Sequence, residues 1–127
     1  MGAAEYARRM ARFEILHNPR CSKSREALQR LHDAGEHPTI IEYLATPPTR
    51  ARLEEILRLL GTDDPRAIMR TGEAIYRELG LADETDRERL LAVLATHPIL
   101  IERPIVIRDD GRAVVGRPSS RVAELLA

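Results

Sequence analysis

The chain has 127 residues, 43% of them hydrophobic, which is enough for one globular domain around a single core and leaves no room for a second. Its 20 basic and 20 acidic side chains cancel to a formal net charge of +0, which excludes the one-sided cationic field that nucleic acid or an anionic membrane surface requires. A single cysteine excludes an intrachain disulfide and a cysteine-built zinc cluster, and points to a reducing, cytoplasmic compartment.

Residues 1–12 carry Arg8, Arg9 and Arg12 but lack the continuous apolar run of about 7–15 residues that a secretory signal needs. They read as an extension to a domain spanning residues 13–127. The longest apolar stretches, residues 99–101 and 105–107, fall far short of the roughly 18 residues that cross a bilayer, so no transmembrane helix is expected.

Phe13, Ile15 and His17 alternate along a first strand that ends at the Asn18-Pro19 breaker. A helix then begins at Ser22, with Ala27, Leu28 and Leu31 on one stripe and Gly35 as its stop. Residues 39–44 are rich in β-branched side chains and form a second strand before Thr46-Pro47-Pro48 breaks the chain. Leu53, Ile56, Leu57 and Leu60 mark an amphipathic helix capped by Thr49 and closed by Gly61.

Residues 63–70 and 73–79 read as two shorter helical pieces, and Thr85 with Glu88 has the pattern of a capping box opening a helix to about Thr96. Residues 99–102 and 105–108 are strand candidates on either side of Arg103-Pro104. Asp110-Gly111 is the strongest hairpin signal, with residues 113–116 as the returning strand. Ser119 or Ser120 caps a final helix carrying Val122, Leu125 and Leu126. The order β-α-β, helical insert, β-β-α predicts an α/β thioredoxin-like fold. It has a mixed four-stranded sheet, helices on both faces, and an insert at about residues 49–97 after the first β-α-β unit.

Cys21 is the residue with the clearest chemistry. It sits at a helix N-terminus, where backbone N–H groups lack intrahelical partners and the helix dipole favours an anion, with Arg20, Lys23 and Arg25 nearby. Lowering a thiol pKa from about 8.5 to about 6 takes about 3.4 kcal/mol of preferential stabilisation of the thiolate. A helix terminus supplies about 0.3–1 kcal/mol and at most ~2, so arginine contacts or direct hydrogen bonds must provide the remainder. The plainer alternative is a packed helix-start cysteine beside a solvated basic face. A cysteine-phosphatase loop needs arginine six positions after the cysteine, and Ala27 stands there. Ser24 occupies the place of the second thiol in a Cys-x-x-Cys centre, so an external thiol must resolve any mixed disulfide.

Three segments, His17-Asn18-Pro19-Arg20-Cys21-Ser22-Lys23-Ser24-Arg25, Arg103-Pro104-Ile105-Val106 and Gly116-Arg117-Pro118-Ser119, together resemble the ArsC family of arsenate reductases over residues 15–126. The likeness is nearest to the subgroup with Asn-Pro-Arg-Cys-Ser-Lys-Ser-Arg; the plasmid-type reductases have Gly-Thr where this chain has Ser22-Lys23. The resemblance implies that Cys21 attacks arsenate or a similar oxyanion and that Arg70, Arg103 and Arg117 bind it. It also implies that glutathione enters as co-substrate and glutaredoxin recycles the thiol, with no tightly bound cofactor and no metal. Planar arginine forks suit a tetrahedral oxyanion of about one to two negative charges better than lysine does.

By the same resemblance Pro104 matches the cis proline that thioredoxin-like folds place opposite the nucleophile, leaving backbone groups open to a glutathione-like chain. His17, Asn18, Ser24 and Arg25 are supporting candidates. His17 either tunes the thiolate or is a structural strand-end histidine, and Ser24 either donates to the thiolate or caps the helix. Two other functions stay open: a glutathione-dependent thiol reductase of another substrate, and a non-enzymatic relative that regulates transcription by binding RNA polymerase. Relatives of the latter kind typically carry the Cys-x-x-Cys switch that this chain lacks.

Overall fold

The computed structural model describes Gly2 and residues 12–126, so most of the expected N-terminal extension lies outside the described residues. The chain divides into two compact units, one built from the described residues up to Glu42 together with those from Arg103 onward, the other from Tyr43–Glu102. The sequence places the helical insert at about residues 49–97; the second unit is wider at both ends.

The first unit holds the expected mixed four-stranded sheet, in the order β2-β1-β3-β4. Strand β1 (Phe13–Leu16) is followed by helix α1 (Ser22–Asp33), which returns the chain to β2 (Thr39–Ile41) parallel to β1. Strand β3 (Ile105–Arg108) runs antiparallel to β1 with Leu16 opposite Ile105, and β4 (Arg112–Val115) pairs antiparallel with β3. The β3–β4 connection turns at Gly111, whose φ of 93° is a conformation that favours glycine.

Alternation along the strands sends Phe13, Ile15, Val106 and Val114 to one face, where they meet Ala27 and Leu31 of α1 and Val122 and Leu125 near the C-terminus. On the opposite side of the pleat, Leu16, Ile105 and Ile107 are also buried. Gly116 follows β4 at a close approach. A Cβ there would lie 3.0 Å from Pro104 Cγ, 3.5 Å from Val122 Cγ2 and 3.6 Å from Ala27 Cβ, so glycine lets three elements meet.

In the second unit, α2 (Arg50–Leu60) begins at Thr49, whose hydroxyl accepts the Arg52 amide, and packs on α4 (Arg87–Thr96). Between them in sequence lies α3 (Ala74–Glu78). Leu53, Ile56, Leu57, Leu91 and Leu94 are fully buried. Arg66 ties the connecting turns together by donating to the carbonyls of Leu81 (2.6 Å) and Glu84 (2.7 Å).

Several expected elements differ in the structure. The second strand stops at Ile41 rather than residue 44, because β1 offers partners only through Leu16 and the His17 amide takes the Ile41 carbonyl as β1 ends. Residues 99–102 are not a strand: Pro98–Leu100 is a 3-10 turn, and Ile101 makes one isolated bridge to Met69. The helical piece expected at residues 63–70 is a 3-10 turn, Pro65–Ile68, capped by Asp64. Asp86, not Thr85, caps α4, its carboxylate accepting the Glu88 amide at 3.0 Å. Neither Ser119 nor Ser120 caps the last helix: a 3-10 turn, Ser119–Val122, follows extended Pro118 and continues into α5 (Ala123–Leu126).

Leu31 is fully buried against the sheet, so Leu31→Ala removes its packing and leaves a cavity. The expected loss is about 2–5 kcal/mol, read as a lower urea midpoint with an unchanged m-value.

Candidate active site

The site is set by where β1 runs out. Beyond the Leu16–Ile105 pair, the antiparallel register carries the residues after Leu16 past those before Ile105, so the cysteine loop runs alongside Arg103-Pro104. Asn18 shapes the loop at both ends of its own side chain and backbone. Its Oδ1 accepts the Arg20 amide at 3.0 Å, and its carbonyl accepts the Cys21 amide at 3.0 Å. Arg25 closes the loop from the helix side by donating to the Pro19 carbonyl at 2.9 Å.

Cys21 is the N-cap of α1 and is partly exposed. In the N-cap position a serine or aspartate oxygen accepts the amides two or three residues on. Here those amides belong to Lys23 and Ser24, and they favour the sulfur anion. Burial pushes the thiol pKa up; the backbone amides of Ser24 and Lys23 and the guanidinium of Arg103, by charge and hydrogen bond, outweigh it, and the pKa lies below the ordinary thiol value.

The strongest nearby charge on the sulfur is therefore Arg103, not the flanking cations that the sequence draws attention to. Lys23 instead reaches Glu26 at 3.9 Å, and Arg25 is committed to Pro19.

Ser24 does neither of the two tasks expected of its hydroxyl. Its backbone amide serves the thiolate, while its fully buried Oγ accepts the Asn18 amide at 3.0 Å and lies 2.6 Å from His17 Nδ1. Burial first, with Arg25 adding to it and Glu42 opposing it, lowers the His17 pKa. His17 Nδ1, the Ser24 hydroxyl and the Asn18 amide are thus joined in one hydrogen-bonded group. His17 thereby holds the residue whose amide faces the sulfur.

Arg103-Pro104 and Arg117-Pro118 are both cis, so the proline expected by resemblance has the cis form and a second one accompanies it. Arg117 is exposed and donates through Nη1 to the Arg103 carbonyl at 3.3 Å. Cys21, Arg103 and Arg117 thus form one connected group in the first unit. Arg70 belongs to the second unit, where Glu73 pairs with it at 2.6 Å and the Ile99 carbonyl lies 3.5 Å from Nη1.

Lys23 and Ser24 as amide donors, and Gly116 beneath Pro104, are contributions that the motif reading missed. The first is implicit in the N-cap rule once Cys21 is placed at that position. Among the described residues no cluster of His, Cys, Asp or Glu is arranged to hold a metal ion, and no helix is long and apolar enough to cross a membrane.

Sheet order, a thiol at the N-cap position of a helix and a cis proline preceded by arginine define a thioredoxin-like protein with a single-thiol site. A profile of the ArsC family matches residues 16–125. The arsenate reductase of Neisseria meningitidis serogroup A is 43% identical over 118 residues, covering 92% of this chain and 100% of that one. For the arsenate reductase of Escherichia coli (strain K12) the identity is 44% over 119 residues, 92% of this chain and 82% of that one. The uncharacterized protein YfgD of Escherichia coli (strain K12) is 44% identical over 114 residues, covering 89% and 95%. Among solved structures, the arsenate reductase from Vibrio cholerae aligns with a TM-score of 0.85 at 45% identity, over 88% of this chain and 95% of that one. The chain belongs to the ArsC family.

Two outcomes test the site. Iodoacetamide alkylation of Cys21 against pH should inflect below that of a free thiol alkylated under the same conditions. Arg103→Ala removes the cation, disfavours the anion and should move the inflection upward, so the reactive fraction at neutral pH falls. Ser24→Ala leaves the part-buried Asn18 amide and the buried His17 Nδ1 without their shared partner, and should cost about 1–3 kcal/mol in urea unfolding.

Proposed function

We propose that this protein is an arsenate reductase in which Cys21 is the nucleophile, with glutathione as co-substrate and glutaredoxin as recycling partner. The observation that carries the proposal is the partly exposed Cys21 sulfur at the start of α1, whose pKa the Ser24 and Lys23 amides and Arg103 lower. The arsenate reductases among its relatives support the substrate.

In the first step the Cys21 thiolate forms an S–As bond and an arsenate oxygen leaves as water after taking up protons. Arg103 and Arg117 neutralise the charge of the oxyanion. Glutathione then attacks. An S–S bond forms between glutathione and Cys21 as the S–As bond breaks, and the electron pair leaves with arsenic, which falls from As(V) to As(III). Ser24 stands in the place of a second thiol, so the resulting mixed disulfide passes to glutaredoxin.

The Ser22-Lys23 departure from the plasmid-type pattern keeps open a thiol reductase acting on another substrate. It weighs little against arsenate, because Ser22 and Lys23 are exposed and the Lys23 contribution is its backbone amide. A substituted side chain leaves that donor in place.

The test is arsenate-dependent NADPH consumption by the purified protein with glutathione, glutaredoxin and glutathione reductase. Activity should disappear in Cys21→Ser. Arg103→Ala should lower kcat/KM by about 10²-fold or more, as the loss of a transition-state anion contact does. Equal NADPH consumption by the wild type and Cys21→Ser would remove the proposal.

A further inference from the structure

Helix α1, which carries the nucleophile at its start, also carries a cation that no motif singles out. Arg30 lies in the last turn, where a positive charge suits the helix dipole. That accounts for its charge and not for its direction. Asp33, the carboxylate available three residues on, is taken by Gln29 at 2.8 Å. Arg52 and Arg121 in comparable surface positions pair with Glu55 and Glu124. Arg30 instead donates from Nε to the Ser119 hydroxyl at 3.0 Å.

Ser119 is a buried polar residue, 8% exposed, directly after cis Arg117-Pro118, and its side chain makes no helix cap. The turn it begins packs along α1, with Val122 in the core beside Ala27. On the other side of the same segment, Gly116 sits against Pro104, its amide donating to the Pro104 carbonyl at 2.9 Å. Arg117 is therefore an exposed side chain on a short segment clamped at one end by Pro104 and at the other by Arg30.

We infer that Arg30 is a positioning residue for anion binding: through Ser119 it fixes the Arg117-Pro118 segment to α1 and so registers Arg117 against the helix that holds Cys21. The inference rests on the anion-binding half of the reading above, in which Arg117 contacts the oxyanion. Arg30 touches neither the sulfur nor the anion in this scheme. Its effect lies in binding and leaves thiol ionisation alone, which separates it from Arg103.

The experiment is a double-mutant cycle on the full chain with Arg30→Met, which keeps the apolar stem, and Arg117→Ala. Two quantities are read: the KM for arsenate, and the inorganic phosphate concentration that halves the rate of Cys21 alkylation. Arg30→Met should raise both by about three- to tenfold, with kcat and the alkylation pH inflection unchanged, and Arg30→Lys should recover part of the loss. In the Arg117→Ala background, Arg30→Met should add nothing.

A loss of the same size in both backgrounds would mean general loosening and overturn the positioning role, as would an inflection that moves as far as in Arg103→Ala. Phosphate that fails to protect the wild type overturns it too. An intact cycle in the phosphate readout without arsenate turnover would leave Arg30 in its role while removing the reductase proposal.

Discussion

A sulfur that has to carry charge away from bulk water needs replacements for the water it has lost, and the architecture of the first unit follows from that constraint. Burial alone drives Cys21 toward the neutral thiol. The opposing donors are cheap in structural terms, because the first-turn amides of any helix lack partners and require only an acceptor at the N-cap. Cys21 takes the position that serine or aspartate commonly fills. The helix has no side-chain capping hydrogen bond at Cys21, and the Lys23 and Ser24 amides there favour the sulfur anion. To these amides the fold adds the guanidinium of Arg103, which also lowers the thiol pKa.

Bringing Arg103 to the sulfur is the work of the sheet. The β1–β3 register ends at Leu16 opposite Ile105, which leaves two loops to run past one another. Inside the cysteine loop, the His17–Ser24–Asn18 network sets the position of the Ser24 amide without any of its side chains reaching the sulfur. Burial lowers the His17 pKa and so disfavours the charged ring inside this network.

Those relations mark the boundary of what was legible from residues alone. The four-stranded plan, the Cys21 N-terminus and the Thr49 cap follow from local rules of periodicity and capping, which act within a few residues. The errors have physical reasons. Residues 99–101 are as apolar as a strand, but Pro98 starts a 3-10 turn and only Ile101 finds a partner. At α4, two capping patterns compete one residue apart, and Asp86 prevails over Thr85. Around the thiol, sequence proximity drew attention to Lys23 and Arg25, whereas the decisive cation is far along the chain. The direction of a long side chain depends on partners that only the fold supplies.

The division between backbone and side-chain donors also bears on substitution within the cysteine loop. Amides at positions 23 and 24 are present whatever residue stands there, short of proline, so exposed Ser22 and Lys23 can vary without removing the anion's donors. Arg103 has no such freedom, because its effect on the sulfur comes from its side chain. Ser24 is constrained from three directions: its amide faces the sulfur, its hydroxyl holds Asn18 and His17, and its side chain is fully buried. A second cysteine at that position would break the network that orients the first. The single thiol of this loop is therefore a consequence of how Ser24 is packed.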